Sequence, residues 1–190
     1  MRRPSFPNVA TPNLGKWDRW YGLLDPDQPE PYGDSPTYAI AAEFVAGLPV
    51  SDWGCGKGWL RRLIPPVLYH GVDGSASPFA DVIADLAEYR SSSPAIVLRH
   101  VLEHDYRWRE ILRNAAAAAE LRLVVVLFTP TAAQTAEIAW NEDPGVPDLS
   151  FAVPDLVAEL DAFEVEVVQI VSPATQYGTE TVLLCQRSQR

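Results

Sequence analysis

The chain has 190 residues, 47% of them hydrophobic, and a formal net charge of −10 at pH 7. That is enough chain to bury one sizeable core, and no run approaches the ~18 apolar residues of a membrane helix, so a soluble, cytoplasmic protein is expected. The acidic balance disfavours naked nucleic acid, which is bound mainly through clustered Lys and Arg; Cys55 and Cys185 provide neither a disulfide framework nor zinc-type spacing, and no metal is expected.

Residues 1–34 read as a proline-rich N-terminal arm carrying Trp17, Trp20, Tyr21 and Tyr32, with a helical turn or two around Leu14 to Leu24. Aromatic residues in such an arm imply that it packs on something. One domain is expected from residue 35 onward. Ser35-Pro36 starts a helix, Ser as N-cap and Pro at the first helical position, and Gly47 ends it just after Ala46.

From there the chain alternates. Val50 to Trp53 reads as a strand, Trp59 to Ile64 as a helix stopped by Pro65-Pro66, Leu68 to Val72 as a second strand, and Val82-Ile83 as a short third. Ala95 to Leu98 gives a fourth strand, an alanine-rich helix ends at Ala115 to Ala119, and Leu121 to Phe128 is a buried fifth strand. After Pro130 comes a polar connector with Trp140 and Asn141-Glu142-Asp143-Pro144-Gly145. A helix started by Pro154 follows, and two strands, about Glu164 to Val171 and Glu180 to Cys185, close the chain. Strands alternating with helices imply an α/β fold with a parallel sheet covered on both faces.

The chemistry concentrates after the first strand, in Asp52-Trp53-Gly54-Cys55-Gly56-Lys57-Gly58. Three glycines there permit a tight turn and close approach of a ligand to the backbone. A dinucleotide fingerprint would need Gly or Ala at position 59, which holds Trp59, and a P-loop would need Ser or Thr directly after Lys57, where Gly58 stands. No nucleophile elbow is present, so hydrolase chemistry has no support.

This segment resembles the first motif of class I S-adenosylmethionine-dependent methyltransferases. Three further landmarks follow in order: Asp73 at the end of the second strand, Asp85-Leu86 after the third, and Arg99-His100-Val101-Leu102-Glu103-His104 after the fourth. The resemblance covers about Ser35 to Phe128, and more loosely the C-terminal helix and strand pair. It implies a Rossmann-like fold with a seven-stranded, mostly parallel sheet, an antiparallel strand in its C-terminal hairpin and helices on both faces. S-adenosylmethionine is the implied cofactor, contacted by Asp52, Gly54, Cys55, Gly56, Lys57, Asp73, Gly74, Asp85, Leu86, Arg99 and His100. Asp73 would take the ribose hydroxyls and Asp85 and Leu86 the adenine. Lys57 departs from the family pattern, which more often has a small residue there.

His100 and His104 are the candidate general bases, since imidazole titrates near neutrality; the alternative for both is architecture beside the cofactor. Tyr21, Tyr32, Tyr38 and Trp140 are candidates for the acceptor pocket. The expected activity is methyl transfer to an oxygen or nitrogen of a small-molecule acceptor. Two other readings stay open: a non-catalytic protein of this fold acting as an interaction module, and an RNA or DNA methyltransferase. The last would need Arg99, Arg107 and Arg109 to form a basic path on the cofactor side; otherwise these arginines, with Arg113, read as solvated or ion-paired.

Overall fold

A computed structural model describes residues 12–33 and 36–188. Its frame is a sheet of seven strands: β1 (Val50–Trp53), β2 (Tyr69–Asp73), β3 (Val82–Ile83), β4 (Ser93–Arg99), β5 (Ala119–Leu127), β8 (Phe163–Val171) and β9 (Thr179–Arg187). They lie in the order β3-β2-β1-β4-β5-β9-β8. The first five are parallel, and β9 runs antiparallel to both β5 and β8. The expected architecture, with its reversed strand in the C-terminal hairpin, is present.

The continuous apolar runs are explained by burial on both faces of the sheet. Ile96, Leu98, Leu123, Val125 and Leu127 pack on one side, under α3 (Trp108–Ala118), while Ala95, Val97, Val124 and Val126 pack on the other, with Tyr38, Ala41 and Val45. The latter three come from α2 (Thr37–Phe44) and the residue that caps it. In α3 the buried Trp108, Ile111, Leu112, Ala115 and Ala118 recur at helical spacing and form one stripe toward the sheet.

Three elements depart from expectation. The helix after the glycine turn is only a 3₁₀ turn, Trp59–Arg62: Pro65 and Pro66 lack N–H donors, and a residue before proline is pushed out of the α region, so no α-helix can grow there. The C-terminal helix, α4 (Val153–Val157), is five residues long. The polar connector is a β-hairpin of β6 (Ala136–Asn141) and β7 (Val146–Ser150), standing apart from the main sheet. Alternation along β6 and the turn residues Asp143-Pro144-Gly145 were the available signals. Ser35, the expected N-cap, lies outside the described residues, and α2 begins after Pro36. Among the described residues no helix is long and apolar enough to cross a membrane.

The arm carries α1 (Asp18–Tyr21) and lies along the loop after β2. Gly15 N donates to Gly74 O at 2.8 Å, Trp17 N to Ser75 Oγ at 2.9 Å, and Ala76 N to Asp18 Oδ1 at 2.7 Å. A Cβ at Gly74 would come within 2.3 Å of the Asn13 carbonyl oxygen, so the close approach of the arm requires glycine there.

Candidate active site

A cavity of about 520 Å³ opens where β1, β2, β4 and β5 end, the position at which open α/β sheets take ligands, and its volume is that of a small-molecule site. Its floor is the glycine turn. Gly54 has φ +78°, and a Cβ on it would lie 2.3 Å from Val101 Cγ2, so this turn closes only without a side chain.

Asp73 occupies the lip of that floor. Its carboxylate accepts from Gly56 N at 2.8 Å and Ser75 N at 2.9 Å. Burial pushes its pKa up to about 6, against the downward pull of these backbone donors. Each oxygen keeps further acceptor capacity. Gly74, Leu86 and Ile111 continue the same wall. Asp85 also faces the cavity, but both its oxygens accept from Arg107, at 2.7 and 3.0 Å, and Arg107 is held by Asp105 as well. Lys57 lines the cavity with its ammonium 3.5 Å from Glu30 and over the Tyr32 ring.

Not every residue singled out in the sequence reaches this space. Asp52, Cys55 and Tyr38 surround a separate narrow crevice beneath the turn. Asp52 is buried and accepts from Tyr69 Oη at 2.8 Å; burial raises its pKa to about 7 despite that bond. Burial also drives the Cys55 thiol up. Gly56 contributes through its N–H to Asp73 rather than as cavity wall. Trp140, on the outer strand of the hairpin, is exposed and lies outside the cavity lining. Gly54, Lys57, Asp73, Gly74, Asp85, Leu86, Arg99, His100, His104, Tyr21 and Tyr32 are brought together around it.

The two histidines have opposite environments. His100 adopts φ 56°, a left-handed conformation rare outside glycine, and its Nε2 is 2.7 Å from Glu180 Oε1. That carboxylate also accepts from Arg99 Nη2 at 2.7 Å and Thr37 Oγ1 at 3.1 Å. Arg99 Nη1 lies 3.3 Å from His100 Nδ1. The network assigns the proton to Nε2 and makes Nδ1 the acceptor. Burial lowers the His100 pKa to about 4, with the hydrogen bond to Glu180 opposing. Both nitrogens are engaged, so this imidazole has no lone pair left for an acceptor.

His104 points Nδ1 at the hairpin, 3.0 Å from Pro147 O and 3.4 Å from Asp148 Oδ1. A carbonyl cannot donate, so Nδ1 carries the proton and Nε2 the lone pair. Asp148 is in turn fixed by Asn141 Nδ2 at 2.8 Å and Tyr177 Oη at 2.9 Å. Burial works against charge on His104, yet Asp148 and Glu103 outweigh it and hold its pKa above 6.5. Sequence reasoning missed Asp148 and Glu180; the signal for Asp148 was an acid among the mostly apolar residues 146–150, and for Glu180 an acid just before the apolar run 182–185.

Six rings around the cavity form a closed belt. Trp17 and His104 are 5.3 Å apart by centroid, His104 and Phe128 5.3 Å, Phe128 and His100 5.0 Å, His100 and Tyr32 5.8 Å, and Tyr21 and Trp17 6.2 Å. The Tyr21 and Tyr32 hydroxyls, 3.5 Å apart, complete it. Arg99, Arg107, Arg109 and Arg113 provide no open basic face. Arg99 pairs with Glu180, Arg107 with Asp85 and Asp105, and Arg109 and Arg113 with Glu159.

This sheet order with a glycine turn at the cavity floor is the fold of class I S-adenosylmethionine-dependent methyltransferases. Similar solved structures include 1,6-didemethyltoxoflavin-N1-methyltransferase of Burkholderia thailandensis, with bound 1,6-didemethyltoxoflavin and S-adenosylhomocysteine. Its TM-score is 0.64 at 16% identity, over 81% of this chain and 77% of that one. Magnesium protoporphyrin IX methyltransferase of Synechocystis PCC 6803, with bound S-adenosylmethionine, matches with a TM-score of 0.58 at 20% identity, over 91% and 90%. The cyclase SpnF matches with a TM-score of 0.57 at 12% identity, over 80% and 79%, so the fold alone does not dictate methyl transfer. Neither a protein-family model nor a curated protein matches the sequence.

Proposed function

We propose that this protein is an S-adenosylmethionine-dependent methyltransferase that modifies an oxygen or nitrogen of a small-molecule acceptor. The observation that carries the reading is Asp73, a buried carboxylate that lines the cavity beside Gly54 and Gly74 and is held there by backbone N–H donors. Paired ribose hydroxyls suit such an acceptor. Leu86 and Ile111 offer an apolar surface for the adenine, and the cofactor-bound states of the similar methyltransferases support the same occupant.

Bound there, S-adenosylmethionine supplies a methyl group already activated by the sulfonium. The chain's own residues have the remaining tasks. The glycine turn and Asp73 orient the cofactor, the arm and the hairpin exclude water, and His104 is available to take a proton from the acceptor. Arg107 holds the Asp85 carboxylate, so Asp85 braces the adenine wall that it also lines.

Calorimetric titration of the protein with S-adenosylhomocysteine and S-adenosylmethionine tests the reading. Micromolar binding by wild type is expected, weakened at least about tenfold in Asp73→Asn, since a hydrogen bond to a charged acceptor contributes about 1.5–3 kcal/mol. Absence of binding by wild-type protein with an intact thermal transition would overturn it.

A further inference from the structure

We propose that the acceptor is a planar molecule bearing an acidic hydroxyl of the phenol type, lying against Trp17 and Phe128, with His104 Nε2 taking its proton and Asp148 acting as the positioning residue. This rests on the methyltransferase reading and adds to it the acceptor class and the group that receives the proton.

The geometry supports each part. Trp17 comes from the arm and Phe128 from the end of β5; both line the cavity, and each ring lies 5.3 Å from that of His104. Flat aromatic walls favour a flat partner. His104 is fixed through Nδ1 by Pro147 O and Asp148, which leaves Nε2 with no protein partner among the described residues. Asp148 cannot swing away, because Asn141 and Tyr177 hold its two oxygens.

Proton affinity narrows the class. A phenol, with a pKa of about 10, lies within a few units of imidazole. An aliphatic hydroxyl, nearly as weak an acid as water, does not. When the proton moves, its bonding pair stays on oxygen as phenolate and Nε2 gains the N–H bond. The resulting imidazolium faces Asp148 and attracts the phenolate, an attraction that a neutral amine acceptor would not provide. The other groups facing His104 are Glu103 beside it, His100 across Phe128, and Asp105 on the same cavity wall. Asp105 shares Arg107 with Asp85, which leaves one net negative charge in that cluster, and His100 stays uncharged. Asp148 and Glu103 raise the His104 pKa over the opposition of burial, which brings it closer to that of a phenol.

The test uses the full chain saturated with S-adenosylhomocysteine and three probes: 4-nitrophenol, 4-nitrobenzyl alcohol and 4-nitrobenzylamine. Nitrophenol should bind as phenolate, with its apparent pKa lowered by about a unit, and bind at least tenfold tighter than the alcohol or the amine. His104→Gln should abolish the shift in nitrophenol pKa while leaving the S-adenosylhomocysteine affinity within about twofold. The chain has three histidines, so NMR titration reads His104 directly: above 6.5 in wild type, and lower in Asp148→Asn, where burial is no longer offset. Tighter binding of the amine or the alcohol, no shift in nitrophenol pKa, or a His104 pKa unmoved by Asp148→Asn overturns the proposal. Failure of S-adenosylhomocysteine itself to bind is a failure of the underlying reading, seen before any probe is added.

Discussion

The two walls of the cavity are held by different physics. The wall formed by the glycine turn and Asp73 is local: backbone torsions, a carboxylate receiving N–H groups from neighbouring loops, and burial. The wall formed by the arm and the hairpin is assembled at long range. Lys16 Nζ reaches Gly145 O at 2.9 Å across 129 positions of sequence, and Arg19 reaches Asp143 at 2.8 Å across 124. A wall set by backbone geometry is intolerant of substitution and indifferent to salt. The link between arm and hairpin, tied by side-chain bridges of which one is exposed, tolerates substitution and loosens under screening.

Gly54→Ala should give the largest effect. The alanine would occupy a left-handed conformation and collide with Val101; torsional cost and overpacking together predict a loss of about 2–4 kcal/mol in urea unfolding. An unchanged unfolding midpoint would show that the turn relaxes and that the first wall is not rigid.

The pH dependence of cofactor affinity comes next. Asp73 titrates at about 6 in the folded protein, and only its ionised form accepts two hydroxyl protons. Affinity for S-adenosylhomocysteine should therefore be level above about pH 7 and fall below 6, by at most tenfold per pH unit. Asp73→Asn should remove the dependence, and calorimetry from pH 5 to 8 checks both. Stability runs the other way. Asp52 and Asp73 have folded pKa values of about 7 and 6, raised above 3.8, so the folded state holds their protons more tightly. The stability this provides is complete below about pH 4 and is lost as pH rises to 7.

Arg19→Ala should give the smallest effect. The pair with Asp143 is exposed on both sides, 80% and 52%, and its removal should cost less than about 1 kcal/mol. A larger loss, or one insensitive to added salt, would mean that the arm is held as firmly as the glycine turn and would remove the contrast.

Much of the frame was legible in the chain because its signals are local. The apolar runs of β4 and β5, the glycine turn after Asp52, and the acid ending β2 each follow from residue type and spacing within a short window. The misreadings arose where local pattern was overridden. Trp59 to Ile64 has helical composition, but the prolines at 65 and 66 restrict it to a 3₁₀ turn. The residues 136–150 are polar enough to read as a loop, yet β7 is buried and places Asp148 behind His104. Asp52, which the motif places with the cofactor, bonds Tyr69 beneath the turn, a partner that its motif does not announce.

The sequence by itself determined the sheet, the position of the cavity at its strand ends and the carboxylate on its lip, because these depend on the period of burial and on which residues allow a left-handed turn. Only the tertiary structure decided which histidine keeps a free nitrogen. His100 and His104 lie four residues apart in one motif and are equivalent in composition. They are separated by partners 80 and 43 positions away, Glu180 and Pro147. Electrostatics depends on distance in space, and no local pattern encodes which strand end delivers the second charge.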